Sequence, residues 1–362
     1  MSNVREYDDL IAFHPGSYVE DIVDSLNITQ AEFAQRLGLS SKTVSKIING
    51  EDSVSAATAN KLERVTGISM QTWLNLQAQY DSKEAEIAAL QSTDEDEVAA
   101  QIDVGFLKRN GLIPDKLYRK EEKKQTYRQL FKIADLTQLR LFNPAVSYRK
   151  AATKSESKSI VCSNVMLELA TNTARDATEV PFEKNALVRV LPQIRKMSTQ
   201  APEVFYPDLV NKLRDCGIVL VALPNLPGAG LNGATRKFRN GSVLVLITDR
   251  AKYGDVFWFS LVHELGHVYY NDFHSDPTNH EAYAAKEARA DKFAAEFFIP
   301  NDLYQTFLAT NVITNHSIRE FADRLGINPG IVVGRLQSDK VINFSRFNSL
   351  KTKYQIMLNT AE

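Results

Sequence analysis

The residues best suited to chemistry lie in one short run, His263-Glu-Leu-Gly-His267. On a helix, positions four apart share a face, so both imidazoles can bind one ion. Two histidines at this spacing, with a glutamate after the first, predict a hydrolytic site with one zinc per chain. Zinc in such a site lowers the pKa of a bound water towards about 7. Glu264 is then placed as the general base that takes the proton from that water.

A hydrolytic zinc site needs a third protein ligand from elsewhere in the chain. The best candidate is Glu287, because the helix predicted around it is rich in small residues that allow close packing on the histidine helix. Asp291, one turn later, is placed to accept a hydrogen bond from a ligand histidine. The alternatives belong to the intervening segment: His274, His280 and Glu281.

Two aspects of the site stay open in the sequence. The oxyanion of the transition state could be stabilised by any of four nearby side chains: Tyr269, Tyr270, His274 and His280. The motif could also be a chance match on a buried helix. A metal site of this kind can persist as a structural or sensing element without turnover.

The strands and helices that must position the histidines and Glu287 begin near residue 217, where the hydrophobic pattern changes from helical to strand-like. The pattern predicts a strand, two strands joined by an Asn-Gly turn, and two long helices: 217–223, 233–238, 242–248, 256–270 and 281–298. The first of the two helices carries the histidine motif. The hairpin could offer an edge strand for a substrate peptide to pair with, and an ordinary structural edge is the alternative.

The N-terminal region, up to Tyr80, predicts a string of five short helices. Thr29 and Glu32 can form a capping box at the start of the second helix, and Gly38 ends it. Ser40 or Ser41 caps a third, polar helix. Short helices in this order indicate a helix-turn-helix domain, whose third helix enters the major groove of DNA.

In that geometry the third helix supplies the groove contacts, and Gln30 at the start of the second helix contacts phosphate. The exposed candidates on the third helix are Ser41, Lys42, Thr43, Ser45, Lys46 and Asn49. Residues 14–80 hold five basic against seven acidic residues, so a helical protein-interaction domain is the alternative. Because DNA affinity rests largely on phosphate neutralisation, two lysines imply a homodimer or help from the basic stretch at 108–150.

The composition is that of a globular protein, with 44% hydrophobic and 24% charged residues and a net charge of −1. Cys162 and Cys216 lack Cys or His neighbours at metal-ligand spacing, which predicts buried thiols in a reducing compartment. The N-terminus has no apolar signal core and no apolar run could span a bilayer, so we expect a cytoplasmic protein without membrane contact.

Residues 108–150 hold twelve basic against four acidic residues, which predicts a basic helical surface. No internal repeat is evident.

Two regions resemble known families. Residues 14–80 resemble XRE-type helix-turn-helix domains, particularly those of HigA antitoxins, and residues from about 185 to 305 resemble the ImmA/IrrE metallopeptidases. The matching runs are Thr29-Gln-Ala-Glu-Phe-Ala-Gln-Arg-Leu-Gly38, Ser41-Lys-Thr-Val-Ser-Lys-Ile-Ile-Asn-Gly50, Gly233-Ala-Thr-Arg236, Phe257-Trp-Phe-Ser-Leu-Val-His-Glu-Leu-Gly-His267 and Ala290-Asp-Lys-Phe-Ala-Ala-Glu-Phe-Phe-Ile-Pro300. The tail from Phe321 to Gln337 also resembles the ending of two-domain members. The chain departs from the family pattern at Arg289, where members often carry a second glutamate.

The resemblance implies a transcriptional regulator that binds a double-stranded DNA operator and carries a zinc-dependent peptidase domain. Its implied substrate is a protein such as a repressor or antitoxin, or the chain itself. The alternative is a repressor or antitoxin whose peptidase-like domain senses a ligand or partner without cleaving it.

The expected fold is α+β and mostly helical. It comprises an all-α N-terminal domain and a zincin-like domain with a small antiparallel sheet and the histidine helix. The expected order is a helix-turn-helix domain, a helical connector, a peptidase domain and a C-terminal helical extension: 1–80, 81–184, 185–305 and 306–362.

Overall fold

The computed structural model describes residues 4–7, 10–91, 94–141, 154–273, 280–310 and 312–358. The chain divides into two compact units, residues 1–93 and 94–362. The four domain boundaries expected from the sequence remain predictions. In the described part of the chain, no helix combines the length and the apolar character needed to cross a membrane.

The N-terminal unit begins with a β-hairpin, in which β1 (Val4–Tyr7) pairs antiparallel with β2 (Leu10–Phe13). Helices α1 to α5 follow at Gly16–Ser25, Gln30–Leu37, Ser41–Ile48, Ala56–Thr66 and Met70–Gln91. The prediction of an all-α N-terminal domain was therefore wrong for its first residues, which form this hairpin. The side chains of β2 alternate, so that Ala12 packs with Tyr80 of α5 while Phe13 is exposed.

Side-chain caps mark the start of α2 and the start of α3. The Thr29 hydroxyl accepts the Glu32 backbone N–H at 3.2 Å, and α2 ends at Gly38 with φ +62°. Ser40, rather than Ser41, caps α3 by accepting the Thr43 N–H at 3.0 Å. The core that holds these helices together includes Phe33, Val44, Ile47, Ile48, Leu62 and Trp73.

The second unit starts with helices α6 to α8 and a 3-10 turn at Asp94–Gln101, Val104–Arg109, Lys120–Phe131 and Leu136–Arg140. The acidic start of α6 faces the basic α8. Asp96 lies 2.6 Å from the Lys120 Nζ and 3.1 Å from that of the fully buried Lys124, and Glu95 pairs with Arg128. The basic surface expected from this stretch is thus partly neutralised within the unit, which leaves less charge for phosphate.

The remaining elements of the described chain are α9 to α16, three strands and a 3-10 turn at Asn348–Leu350. The helices span Lys154–Ala174, Lys184–Met197, Pro202–Asp215, Gly254–Tyr270, His280–Phe298, Asn301–Thr310, Asn315–Leu325 and Pro329–Ser338. The strands β3, β4 and β5 span Ile218–Leu223, Gly233–Lys237 and Val243–Thr248. They form one sheet in the order β3-β5-β4.

The sheet is mixed, which corrects the expected antiparallel sheet. Strands β4 and β5 form the expected antiparallel hairpin, with Gly241 in the turn at φ +88°, but β3 runs parallel to β5. Strand β3 is a continuous apolar run with no polar alternation, a pattern typical of parallel strands buried on both faces. This run indicated a strand, but not its direction.

The two faces of the sheet pack against different helices. Val245 of the central strand contacts the core that contains Leu261 of α12, whereas Leu244 contacts the core that contains Val165 of α9. Helix α9 lies in the stretch expected to be a connector, and it covers the sheet on the face opposite the histidine helix.

The C-terminal helix pair α15–α16 repeats the turn between α2 and α3, so the expectation of no internal repeat was wrong. Glu32-Phe-Ala-Gln-Arg-Leu-Gly38 recurs as Glu320-Phe-Ala-Asp-Arg-Leu-Gly326. Gly38 has φ +62° and ψ +41°, and Gly326 has φ +64° and ψ +41°. In both pairs a polar side chain two residues later, Ser40 or Asn328, caps the following helix.

Candidate metal centre and nucleic-acid interface

The histidine motif lies in α12, which is buried between the sheet and the C-terminal helices. Apolar side chains on several sides of this helix fix it in the core: Phe257, Trp258, Leu261, Val262, Leu265 and Val268. Asn271 ends the helix in the left-handed conformation. A helix packed so firmly holds His263 and His267 at a constant separation, one turn apart on the same face.

The structure brings His263, His267 and Glu287 together, with their ligand atoms within 4.8 Å of one another. The two Nε2 atoms are 3.1 Å apart. The Glu287 carboxylate oxygens lie 3.6 Å from Nε2 of His263 and 3.4 Å from Nε2 of His267. Ligand atoms around a tetrahedral zinc at its usual bond lengths lie about 3.3–3.4 Å apart. The donor set of two imidazoles and one carboxylate therefore fits zinc in type and in spacing.

Asp291 contacts the other ring nitrogen of His263, with 2.8 Å between Nδ1 and the carboxylate. Burial of His263 opposes its protonation, but this contact, together with Glu287 and Glu264, outweighs burial and raises the pKa of His263 to about 10. The surrounding carboxylates thus favour positive charge at this point. A divalent cation bound by Nε2 would supply such charge, with Asp291 fixing the orientation of the ring.

Glu264 is buried, with 7% of its surface exposed, and lies outside the cluster of three candidate ligands. Its carboxylate faces the first residue of β4. A Cβ atom on Gly233 would lie 2.8 Å from the Glu264 Oε1, so the glycine makes room for this carboxylate. The edge strand and the candidate base are therefore in direct contact.

Close packing of α13 on α12 carries Glu287 to the histidines. A Cβ atom on Gly266 would lie 3.3 Å from the Cα of Ala290 and 3.2 Å from the ring of Phe293. The small residues at 266 and 290 thus permit the approach, as expected from the alanines of α13. Among the alternative ligands, Glu281 is exposed and lies outside the cluster, and His274 and the side chain of His280 fall outside the described residues.

The cluster of candidate ligands opens on a cleft of about 430 Å³. Strand β4 forms one wall, and α9, α12 and α13 contribute the others. The sequence indicated Glu264, Asp291 and the three candidate ligands but missed other polar side chains of the lining, among them Ser159, Ser163, Arg250, Asp272, Tyr283 and Lys286. Ser159 and Ser163 lie one turn apart on α9, and Tyr283 and Lys286 lie one turn apart on α13 beside Glu287. A helical spacing was therefore present, but the sequence does not show that these helix faces meet at one cleft.

The two tyrosines considered for the oxyanion do not line the cleft. Tyr269 stacks on Phe293 and lies beneath the Lys184 ammonium group, which is 3.8 Å from its ring centroid. Tyr270 lies beneath the guanidinium of Arg289. Tyr283, at the start of α13, lines the cleft in their place.

The candidate DNA-binding positions lie on the outer face of α2 and α3. Gln30, Ser41, Lys42 and Asn49 are exposed, and Thr43, Ser45 and Lys46 are half-buried. The Lys46 ammonium group is 3.6 Å from Asp52, with 39% of the side chain exposed. Val44, Ile47 and Ile48 are buried, as expected for the inward face of this helix.

Family comparison finds a match in each unit. Residues 19–73 match the helix-turn-helix family, and residues 232–337 match the IrrE N-terminal-like domain of the M78 peptidases. The HTH-type transcriptional regulator YddM of Escherichia coli K12 is 36% identical over 72 residues, which are 20% of this chain and 77% of that protein. The chain belongs to the helix-turn-helix regulators. Its second unit carries an IrrE N-terminal-like domain, so both resemblances seen in the sequence are confirmed.

Other relatives are similar over a comparable part of the chain. Virulence-associated protein I of Dichelobacter nodosus is 31% identical over 24% of this chain and 81% of its own length. A candidate antidote protein of a plasmid maintenance system from Nostoc punctiforme is 36% identical, with a TM-score of 0.22, over 26% of this chain and 98% of that one. A HigA-family antidote protein from Coxiella burnetii is 30% identical, with a TM-score of 0.21, over 23% and 91%.

Proposed function

We propose that this helix-turn-helix regulator is also a zinc-dependent endopeptidase, with one zinc held by His263, His267 and Glu287. The observation that carries the proposal is the position of Glu264, a buried carboxylate that lines the cleft beside the three ligand groups. When bound, zinc would polarise a peptide carbonyl and lower the pKa of a water molecule. The M78 match supports this chemistry.

The residues of the chain have separate roles in the proposed hydrolysis. Glu264 accepts the proton of the attacking water and donates it to the leaving amine. Asp291 holds His263 in the tautomer that leaves Nε2 available as a ligand. The buried setting of Glu264, against Gly233, keeps its carboxylate in one position for both proton transfers.

The proposed substrate is an extended segment of a protein such as a repressor or antitoxin, or of this chain. Strand β4 is at the edge of the sheet and lines the cleft through Gly233, Ala234 and Thr235. An extended peptide could add to this edge through backbone hydrogen bonds. Such pairing would place a peptide bond beside Glu264.

The proposed DNA contacts are those of α3 with the major groove and of Gln30 with phosphate. Lys42 and Lys46 are the cations among these positions, and the basic stretch of the second unit is partly neutralised by α6. Because two lysines neutralise few phosphates, we propose that the protein binds its operator as a homodimer.

The peptidase proposal is tested with Glu264→Gln, which keeps the shape of the side chain but cannot accept the proton. A random decapeptide mixture, incubated with zinc-loaded protein and analysed by mass spectrometry, reports cleavage without knowledge of the natural substrate. We expect the cleavage rate to fall by about 10²–10⁴-fold in this variant while one zinc per chain is retained.

Glu281→Gln is the matched control, since Glu281 is an exposed glutamate at the start of α13 outside the ligand cluster. It should cleave at the wild-type rate. Cleavage by Glu264→Gln at that same rate would contradict the mechanism. Zinc binding by the wild type without cleavage of any peptide would favour a sensing role for the domain.

A further inference from the structure

The helix that carries Glu287 has a second connection to the histidine helix, through Arg289. One guanidinium nitrogen of Arg289 lies 2.5 Å from a carboxylate oxygen of Asp272. The guanidinium carbon also lies 4.3 Å from the centroid of the Tyr270 ring. Arg289 is therefore held on two sides by the end of α12 and the residues just after it. The ion pair and the stacking together make this more than a surface salt bridge.

Asp272 is itself fixed to the second histidine. Its backbone N–H donates to the His267 carbonyl at 2.8 Å, and only 7% of its side chain is exposed. A short chain of contacts thus leads from His267 through Asp272 to Arg289, two residues after Glu287. Movement of α13 along or around α12 would break it.

Large aromatic side chains anchor the C-terminal half of α13, where Phe293 stacks on Tyr269 and Phe298 packs against Trp258. Glu287 lies in the N-terminal half, ahead of the close contact between Gly266 and Ala290. Glu287 and Asp291 share one side of α13, and Arg289 leaves the helix about 200° around the axis from Glu287. Contacts on two sides of a helix oppose its rotation, so the Arg289 contact extends the anchoring of α13 to the turn that carries Glu287.

We propose that the Arg289–Asp272 pair is a positioning device that holds Glu287 in register with His263 and His267. In this proposal the pair acts on the metal through the position of Glu287. The inference rests on the zinc site of the proposed function, and its test includes a measurement that needs no zinc.

The test compares zinc affinity, by competition with a chromophoric chelator, in wild type, Arg289→Ala, Asp272→Asn and the double variant. Loss of a residue that orients a metal ligand typically weakens metal binding about 10–100-fold. We expect this loss in each single variant. The double variant should lose no more than either single one, because the two side chains act as one pair. Arg289→Lys, which keeps the charge, should regain part of the affinity.

Lys292→Ala is the matched control, because Lys292 lies on the same helix with an exposed partner, Glu296, at 3.9 Å. It should bind zinc as the wild type does. In zinc-free protein, Arg289→Ala should exchange the backbone amides of residues 284–291 faster, while exchange in α14 stays unchanged. This readout applies even if the wild type binds no zinc, an outcome that would overturn the proposed function alone.

Three results would overturn the inference. The first is zinc affinity in Arg289→Ala within twofold of the wild type. The second is additive loss in the double variant, which would mean that the two side chains act separately. The third is unchanged amide exchange at residues 284–291 in the zinc-free variant.

Discussion

The two helix pairs, α2–α3 and α15–α16, share one turn and differ in what their second helix contacts. In the first pair, Lys42 of α3 and Asn49, just after its last residue, are exposed. In the second, α16 packs against the histidine helix and is buried along most of its length. A common local sequence thus specifies the turn, and the residues of the second helix decide whether it faces solvent or the core.

Equivalent positions show how the difference arises. Lys42 and Lys46 of α3 correspond to Gly330 and Gly334 of α16, counted from the shared glycine of the turn. A Cβ atom on Gly334 would lie 2.5 Å from a carboxylate oxygen of Asp255, at the start of the histidine helix. The position that offers a cation to solvent in one pair therefore allows close helix packing in the other.

A buried polar side chain completes the contrast. Asn49, the residue that follows α3, is exposed, whereas its counterpart Gln337 is 1% exposed. The amide of Gln337 donates to the carbonyls of Phe344 and Arg346, at 3.2 and 3.0 Å. This helix end is tied to the C-terminal segment, which leaves its polar groups unavailable to a nucleic acid.

The two helix pairs should differ most in stability when leucine replaces the residue at the equivalent positions 334 and 46. Gly334→Leu forces a side chain against Asp255, and overpacking of this kind costs about 1–3 kcal/mol. Lys46→Leu adds an apolar group at a position that is 39% exposed, so we expect little change in the free energy of unfolding. Urea unfolding of the two variants beside the wild type measures both. Equal destabilisation by the two substitutions would contradict the contrast.

A smaller effect is expected on DNA affinity. Lys42→Ala combined with Lys46→Ala should weaken binding and lower the slope of log affinity against log salt by about 1 per lysine removed. The matched control is Arg319→Ala combined with Arg324→Ala, two exposed cations on the C-terminal pair.

Fluorescence anisotropy with a labelled duplex, titrated at several salt concentrations, gives both quantities. The control variant should bind as the wild type does. An equal loss of affinity in the two double variants would mean that the C-terminal pair also contacts DNA, against the contrast drawn above.

Short-range geometry explains what the sequence could predict. Several predicted features depend only on residues that are close together in the sequence. They are the two histidines with Glu264, the caps at Thr29 and Ser40, and the Asn-Gly hairpin. Glu287 was favoured because small residues around it allow close helix packing, and the structure shows that approach at Ala290.

Long-range contacts explain what the sequence missed. The direction of β3 depends on its neighbour in the sheet, which a strand's own residues do not reveal. The acidic start of α6 neutralises the basic α8 only because the chain brings them together. The pair Arg289–Asp272 joins residues of unrelated local pattern, so Arg289 was noticeable only as a departure from a family.

The central claim is that His263, His267 and Glu287 bind zinc, and the most direct test is zinc content by mass spectrometry after removal of loosely bound metal. The account predicts one zinc per chain in the wild type and in Glu264→Gln. It predicts loss of zinc in His263→Ala and Glu287→Ala, and retention in His316→Ala, where the exposed histidine lies outside the ligand cluster. A wild type without zinc, or full zinc in His263→Ala, would contradict it.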